Sequence, residues 1–231
     1  MTLLGELLRE PPPRANTEKA KPAVRFGPAA CSSPLRRPSI REEQIHSLVE
    51  QLFFRHESGP VRRVGITAVG ASTSIASLCL EVSKALVHEG RYEVGLIDAT
   101  GEHELTGVAH IPVHAGMPGP WAIAPRLWLV PRESWCSEAG AYSATNHNLE
   151  LLRERIAEFD FSVVHCPPEP CLAARIGRCC DGLVLVLSAN RTRRLVAAQI
   201  KDYLHKIRIP VLGTILMDRR FPVPEGLYRS L

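Results

Sequence analysis

A chain of 231 residues with 45% hydrophobic content and a net charge of +4 is long enough for one domain with a substantial core, and too evenly mixed to be fibrous or wholly disordered. No apolar run approaches the ~20 residues needed to span a bilayer. The opening Met1 to Leu8 lacks a basic start and is interrupted by Glu6, so it does not read as an export signal, and a cytoplasmic protein is expected. The charge excess is local: residues 1–40 carry seven Lys/Arg against three Glu, and the remainder holds 21 of each sign. A charge-balanced body argues against strong nucleic-acid binding. The seven cysteines are odd in number and show no zinc-ligand spacing, which predicts reduced, mostly buried thiols.

In chain order, residues 1–38 read as a disordered, basic, proline-rich tail; residues 9–38 alone hold seven of the nineteen prolines. Leu3, Leu4, Leu7 and Leu8 at its start read either as a frayed terminus or as one amphipathic turn for a partner. Residues 39–58 form an N-terminal helical segment. Ser39 and Glu42 fit a capping box, Ile45, Leu48, Val49, Leu52 and Phe53 recur at helical spacing, and His56 to Pro60 closes the segment with a loop.

From 59 to 231 the pattern alternates. Strands are predicted at 62–68, 92–98, 127–130, 161–166, 182–188 and 211–217, and helices at 73–88, 147–158, 170–180 and 192–207. Runs such as Gly182 to Leu187 are continuously apolar, as in parallel strands buried on both faces. The expected fold class is therefore α/β, a doubly wound, mostly parallel sheet in a three-layer α/β/α arrangement. Residues 101–126, rich in Gly, Pro and His, show no clear period and read as a long loop or irregular insert.

A strand at Val64 to Ala68, the small-residue loop Gly70-Ala71-Ser72-Thr73-Ser74-Ile75-Ala76, a helix, and a second strand ending at Asp98 give the outline of a P-loop nucleotide-binding unit. Further segments follow in order: Phe159 to Pro168, Asp181 to Val186, Val211 to Leu216 and Phe221 to Tyr228. Together they resemble the cytoplasmic tyrosine-kinase-like P-loop proteins of bacterial capsule and exopolysaccharide assembly, within the Min/Par-type deviant Walker ATPases. The resemblance covers about residues 39–231 and implies a P-loop NTPase-like fold.

Position by position, the resemblance implies altered chemistry. That family's loop reads G-x-G-K-S/T-T. Here Ser72 stands at the lysine, which reaches the β- and γ-phosphates, and Ala71 at the glycine before it; Gly70, the hydroxyl of Thr73 and Ser74 remain as a vestigial nucleotide-binding set. The family's Asp-x-Asp becomes Asp98-Ala99-Thr100; Asp98 is read as orienting water or magnesium, or as capping the next turn. His165 takes the Walker B-like place of the aspartate that binds magnesium, a hard ion poorly served by imidazole. With Cys166 alone beside it, His165 makes no metal site, and a structural histidine at a strand end is expected. Met217, followed by Asp218, replaces an asparagine near the adenine. Glu43, His46 and Val49 replace the assembly pattern Glu-x-x-Arg-x-x-Arg, and Tyr228 is the only tyrosine near the end, read as a packing residue. Arg191, Arg193 and Arg194 open the 192–207 helix, with Thr192 as its expected N-cap. Arginines at a helix start oppose its dipole, so they mark a phosphate or interface surface, or else a solvated basic turn.

The expectation is a non-catalytic pseudo-ATPase or pseudokinase of exopolysaccharide or capsule biosynthesis and export. It would bind an inner-membrane chain-length or export protein, and be held at the inner membrane through that partner. No catalytic residue, metal or cofactor is expected, and ATP with magnesium enters only if the loop still functions. The resemblance also allows homo- or hetero-oligomers. The alternatives are a divergent ATPase or protein-tyrosine autokinase of the same family, and a Par-like positioning module.

Overall fold

The structure is a computed structural model that describes residues 40–55, 61–70, 74–102, 104–111, 119–136, 145–189 and 191–218. All of them belong to a compact unit spanning Arg36–Leu231. The tail, Ser39 of the expected capping box, the 56–60 loop and the 221–228 segment lie outside the described residues.

Strand β1 (Arg63–Ala68) is the axis of a seven-stranded sheet. The others are β2 (Val94–Asp98), β3 (Trp121–Ala124), β4 (Leu127–Val130), β5 (Phe161–Cys166), β6 (Gly182–Ser188) and β7 (Val211–Met217). Their spatial order is β3-β4-β2-β5-β1-β6-β7. All neighbours pair in parallel except β3 with β4, which form an antiparallel hairpin at one edge. The apolar runs behave as parallel strands covered on both sides should: all six residues of β5 and all five of β2 are buried. At the opposite edge, β7 is only half covered.

Helices lie on both faces. Val64, Ile66, Leu96, Val163 and Val184 point to one side, where Phe53 after α1 (Ile40–Val49), Leu86 of α2 (Ala76–Glu89) and Leu105 of α3 (Glu104–Val108) meet them. Ile97, Val164, Leu183 and Leu185 point to the other. They pack there on Leu152 of α4 (Asn146–Ala157), Ala173 of α5 (Pro170–Gly177) and Leu204 of α6 (Arg194–Lys206). The three-layer, mostly parallel α/β fold read from the sequence is the fold observed.

The differences are local. Helix α1 continues as one π-helical turn, Glu50–Phe54, which the Arg55 amide closes on the Glu50 carbonyl at 2.9 Å and which seats Phe53 edge-on to Phe161. The stretch read as a loop or irregular insert contains α3 and β3. A five-residue helix and a four-residue strand are too short to establish a period, and β3 is half-buried throughout. Helix α2 starts at Ala76 rather than at Thr73.

Chain direction places the site. From β1 the chain crosses through α2 to β2 on one side, whereas β6 and β7 lie on the other. The carboxyl ends of strands at such a reversal border the crevice where α/β sheets bind ligands.

Gly65, in the middle of β1, tests this packing. A Cβ there would sit 2.5 Å from Leu183 Cδ2 and 3.1 Å from Cys166 Sγ, and Leu183 is fully buried with no room to retreat. Gly65→Ala is expected to destabilise the fold by about 1–3 kcal/mol in urea denaturation, the usual penalty of overpacking. An unchanged midpoint would show that this layer can relax.

Candidate functional site

The carboxyl ends of β1, β2, β5 and β6 bring four of the sequence-named segments to one edge. Strand β1 ends by donating the Val69 amide to the Val186 carbonyl at 2.8 Å, and then turns at Gly70, whose φ of +106° lies in the region that side chains disfavour. A Cβ on Gly70 would touch nothing within 4 Å, so conformation rather than space calls for glycine. Ala71, Ser72 and Thr73 lie outside the described residues. The chain resumes at Ser74, and α2 begins two residues later behind Ile75, which gives it no side-chain cap. The Ser74 hydroxyl instead donates to Glu104 Oε2 at 3.0 Å, at the first residue of α3.

Asp98 and His165 are register partners on β2 and β5, both buried. Asp98 Oδ1 accepts from the Thr100 amide at 2.9 Å, the Thr100 hydroxyl at 2.8 Å and the Gly101 amide at 3.2 Å, so it caps the turn that follows β2. The Trp135 indole holds the Asp98 carbonyl at 3.2 Å. His165 Nδ1 stands 4.0 Å from Asp98 Oδ1, too far for a hydrogen bond, and has no hydrogen-bond partner. Proximity to a carboxylate would favour a charged ring, but burial opposes it. Burial is the larger effect and holds the imidazole below its ordinary range despite the opposing influence of Asp98 and Glu104. His165 is thus a neutral buried side chain and not half of an ion pair.

The same region pushes the Cys79 thiol of α2 well up, through burial first and then the negative charges of Asp98 and Glu104. Burial also raises Cys166 and Cys180, so these thiols stay protonated and unreactive. Among the described residues Cys79, Cys136, Cys166 and Cys179 are buried and unbridged, and Cys171 is exposed.

Loop 188–194 carries the three arginines. Helix α6 begins at Arg194 with Arg193 at its N-cap, and Thr192 is not the cap. The Thr192 hydroxyl is committed elsewhere: it accepts from the Ser188 amide at 3.0 Å and donates to the Val69 carbonyl at 3.3 Å. This bond ties the arginine loop to the end of β1. Arg191, Arg193 and Arg194 are all exposed. Asp218, beside Met217, accepts from the Ser188 hydroxyl at 2.7 Å, so it also anchors this edge.

Glu104 is the residue that sequence reading missed. It lies in the stretch without periodicity, and its partner Ser74 is 30 positions away.

The described side chains at this edge are already engaged or held neutral. Asp98 Oδ1 is committed to its own turn, the neutral His165 beside it has an Nδ1 without a hydrogen-bond partner, and the Glu104 carboxylate sits against Ser74, which leads into α2. Among the described residues, no group of three or more His, Cys, Asp or Glu could hold a metal ion.

No protein-family model and no curated protein sequence matches the chain. Solved structures do. The chimerical protein CapA2B2 is 12% identical with a TM-score of 0.62, covering 77% of this chain and 84% of that one. The BceF tyrosine kinase domain is 18% identical with a TM-score of 0.60, covering 79% of each. A plasmid partition protein from Borrelia burgdorferi is 12% identical with a TM-score of 0.52, covering 74% of this chain and 85% of that one. At these identities the likeness establishes the fold, which a tyrosine kinase domain and a plasmid partition protein share with this chain. No helix among the described residues is long and apolar enough to cross a membrane.

The His165 environment has a pH consequence. Above about pH 6.5 the imidazole is neutral whether the chain is folded or not. Below that, the unfolded chain takes up a proton that the folded one refuses, so stability falls with pH until the lower folded value is reached. His165→Asn should flatten the change in urea midpoint between about pH 7.5 and about pH 5.5. Equal slopes in the two proteins would assign the effect to other groups.

Proposed function

We propose that this chain is a non-catalytic relative of the exopolysaccharide tyrosine kinases, a pseudo-ATPase that acts by binding an inner-membrane chain-length or export protein. One observation carries the reading: the crevice that would handle phosphate and magnesium is lined by an orphaned neutral His165, a self-engaged Asp98 and the intruding Glu104. Replacement of the loop lysine by Ser72 supports it from the sequence, since loss of one charge-stabilising contact in phosphoryl transfer removes orders of magnitude in rate. A protein partner is supported by α6, where Leu195 is 69% exposed and Val196 and Tyr203 are also exposed beside Arg193 and Arg194.

A second reading, a divergent ATPase or tyrosine autokinase, draws on the bond between Thr192 and Val69, which holds the arginine loop against the end of β1. Arg193 or Arg194 would then supply the missing cation. A Par-like positioning module is the least supported, because the charge excess is confined to residues 1–40.

The test is thermal melting with and without millimolar ATP and magnesium. A ligand at 100 times its dissociation constant adds about 2.7 kcal/mol. No shift is expected, together with co-purification of a membrane polysaccharide-assembly protein from the native host. A magnesium-dependent shift that disappears in Arg193→Ala would overturn the non-catalytic reading in favour of the second.

A further inference from the structure

Helix α6 and its flanks concentrate positive charge in a chain that is otherwise balanced beyond the tail. From 193 to 208, Arg193, Arg194, Lys201, Lys206 and Arg208 stand against a single acidic residue, Asp202. On other surfaces arginines close on carboxylates of the same chain: Arg41 on Glu81 at 2.8 Å, Arg55 on Glu50 at 2.7 Å and Arg155 on Glu158 at 2.8 Å. Among the described residues no side chain pairs with Arg193, Arg194, Lys201 or Lys206, and all four are exposed. Arg193 and Arg194 also stand at the positive end of the helix dipole, where an anion rather than a cation is stabilised.

Helical spacing sorts the exposed side chains into two strips. Arg194, Lys201 and His205, at i, i+7 and i+11, form a basic one. Val196 and Tyr203, seven apart, form an apolar one on the other flank with Leu195 beside them; they are 39%, 38% and 69% exposed. We propose that α6 is the docking surface for an acidic amphipathic helix of a protein partner, whose apolar row packs on Leu195, Val196 and Tyr203 while its carboxylates meet Arg194 and Lys201. The inference deepens the partner-binding reading above and rests on it. Apolar contact supplies affinity in such an interface, and complementary charge supplies register and speed of encounter. A lipid surface suits α6 less well. A helix lying in a membrane interface buries a broad apolar face, and here that face, with Ile200 and Leu204, is taken by the sheet.

The experiment measures binding of the full chain to two synthetic helical peptides of about 18 residues, or five turns. Both carry leucine at every third or fourth position; one has glutamate and the other lysine along the adjoining flank. The proteins are the unaltered chain, R194E with K201E, and L195S, with melting curves to show that each is folded. The basic tail is common to all three, so differences between them report on α6. The unaltered chain is expected to bind the glutamate peptide about tenfold or more tightly than the lysine peptide at about 50 mM salt, and less tightly at about 300 mM. R194E with K201E should reverse that preference, and L195S should weaken the glutamate peptide at either salt concentration. Binding of neither peptide, or a preference that charge reversal leaves unchanged, overturns the proposal. Flotation of the unaltered chain with phosphatidylglycerol vesicles, abolished by the same reversal and without peptide binding, overturns it in favour of a membrane surface. Each of these failures leaves the melting result with ATP, and the non-catalytic reading it tests, unaffected.

Discussion

Strand β1 is hydrogen-bonded along both edges, to β5 and to β6, and is buried on both faces. Everything at the functional edge depends on that double pairing. At the amino end the Asp181 carboxylate receives the amides of Arg62 and Arg63 at 2.8 and 2.9 Å, which sets β6 level with β1. At the carboxyl end the Thr67 hydroxyl donates to the Pro167 carbonyl at 2.8 Å, which sets β5 level too. With both neighbours fixed in register, Ile66 lies between His165 of β5 and Val184 of β6, and the loops after the three strands leave from the same edge. A slip by one residue would turn every side chain of β1 to the opposite face.

On the non-catalytic reading proposed above, the edge keeps the sheet of a phosphate-binding unit and has lost its chemistry. The two come from different sources of free energy. The fold is held by apolar burial, spread over many side chains such as Ile66, Leu96 and Val184. Phosphate handling depends on a few polar groups whose loss leaves that burial unchanged. A histidine can therefore stand at the end of β5, neutral and without a partner for Nδ1, in an intact sheet. Its unmet hydrogen bond is a penalty the surrounding packing can absorb.

The sheet was legible from sequence because parallel strands buried on both faces leave an unmistakable mark, as Gly182 to Leu187 shows. Asp98 was legible in one of its two roles, since an aspartate two residues before a threonine bonds its own turn. The rest failed for identifiable reasons. Thr192 sits where a cap is expected, but its hydroxyl is taken by a strand end 123 positions away. Helix α3 and strand β3 are shorter than the window a period requires. The bond between Ser74 and Glu104 joins distant segments through the packing of α3 on α2, and nothing local announces it.

The pairing of β1 also sets the order in which the molecule can assemble. Among the seven strands β1 leaves the ribosome first, yet its hydrogen-bonding partners β5 and β6 arrive fifth and sixth: Thr67 waits for a carbonyl 100 residues downstream and Arg63 for a carboxylate 118 residues downstream. Non-local parallel pairing of this kind makes folding slow, because loop-closure entropy is lost before the contacts that reward it can form. During synthesis the most apolar strands stand with open edges until β6 is complete, which makes the nascent chain a natural client for chaperones.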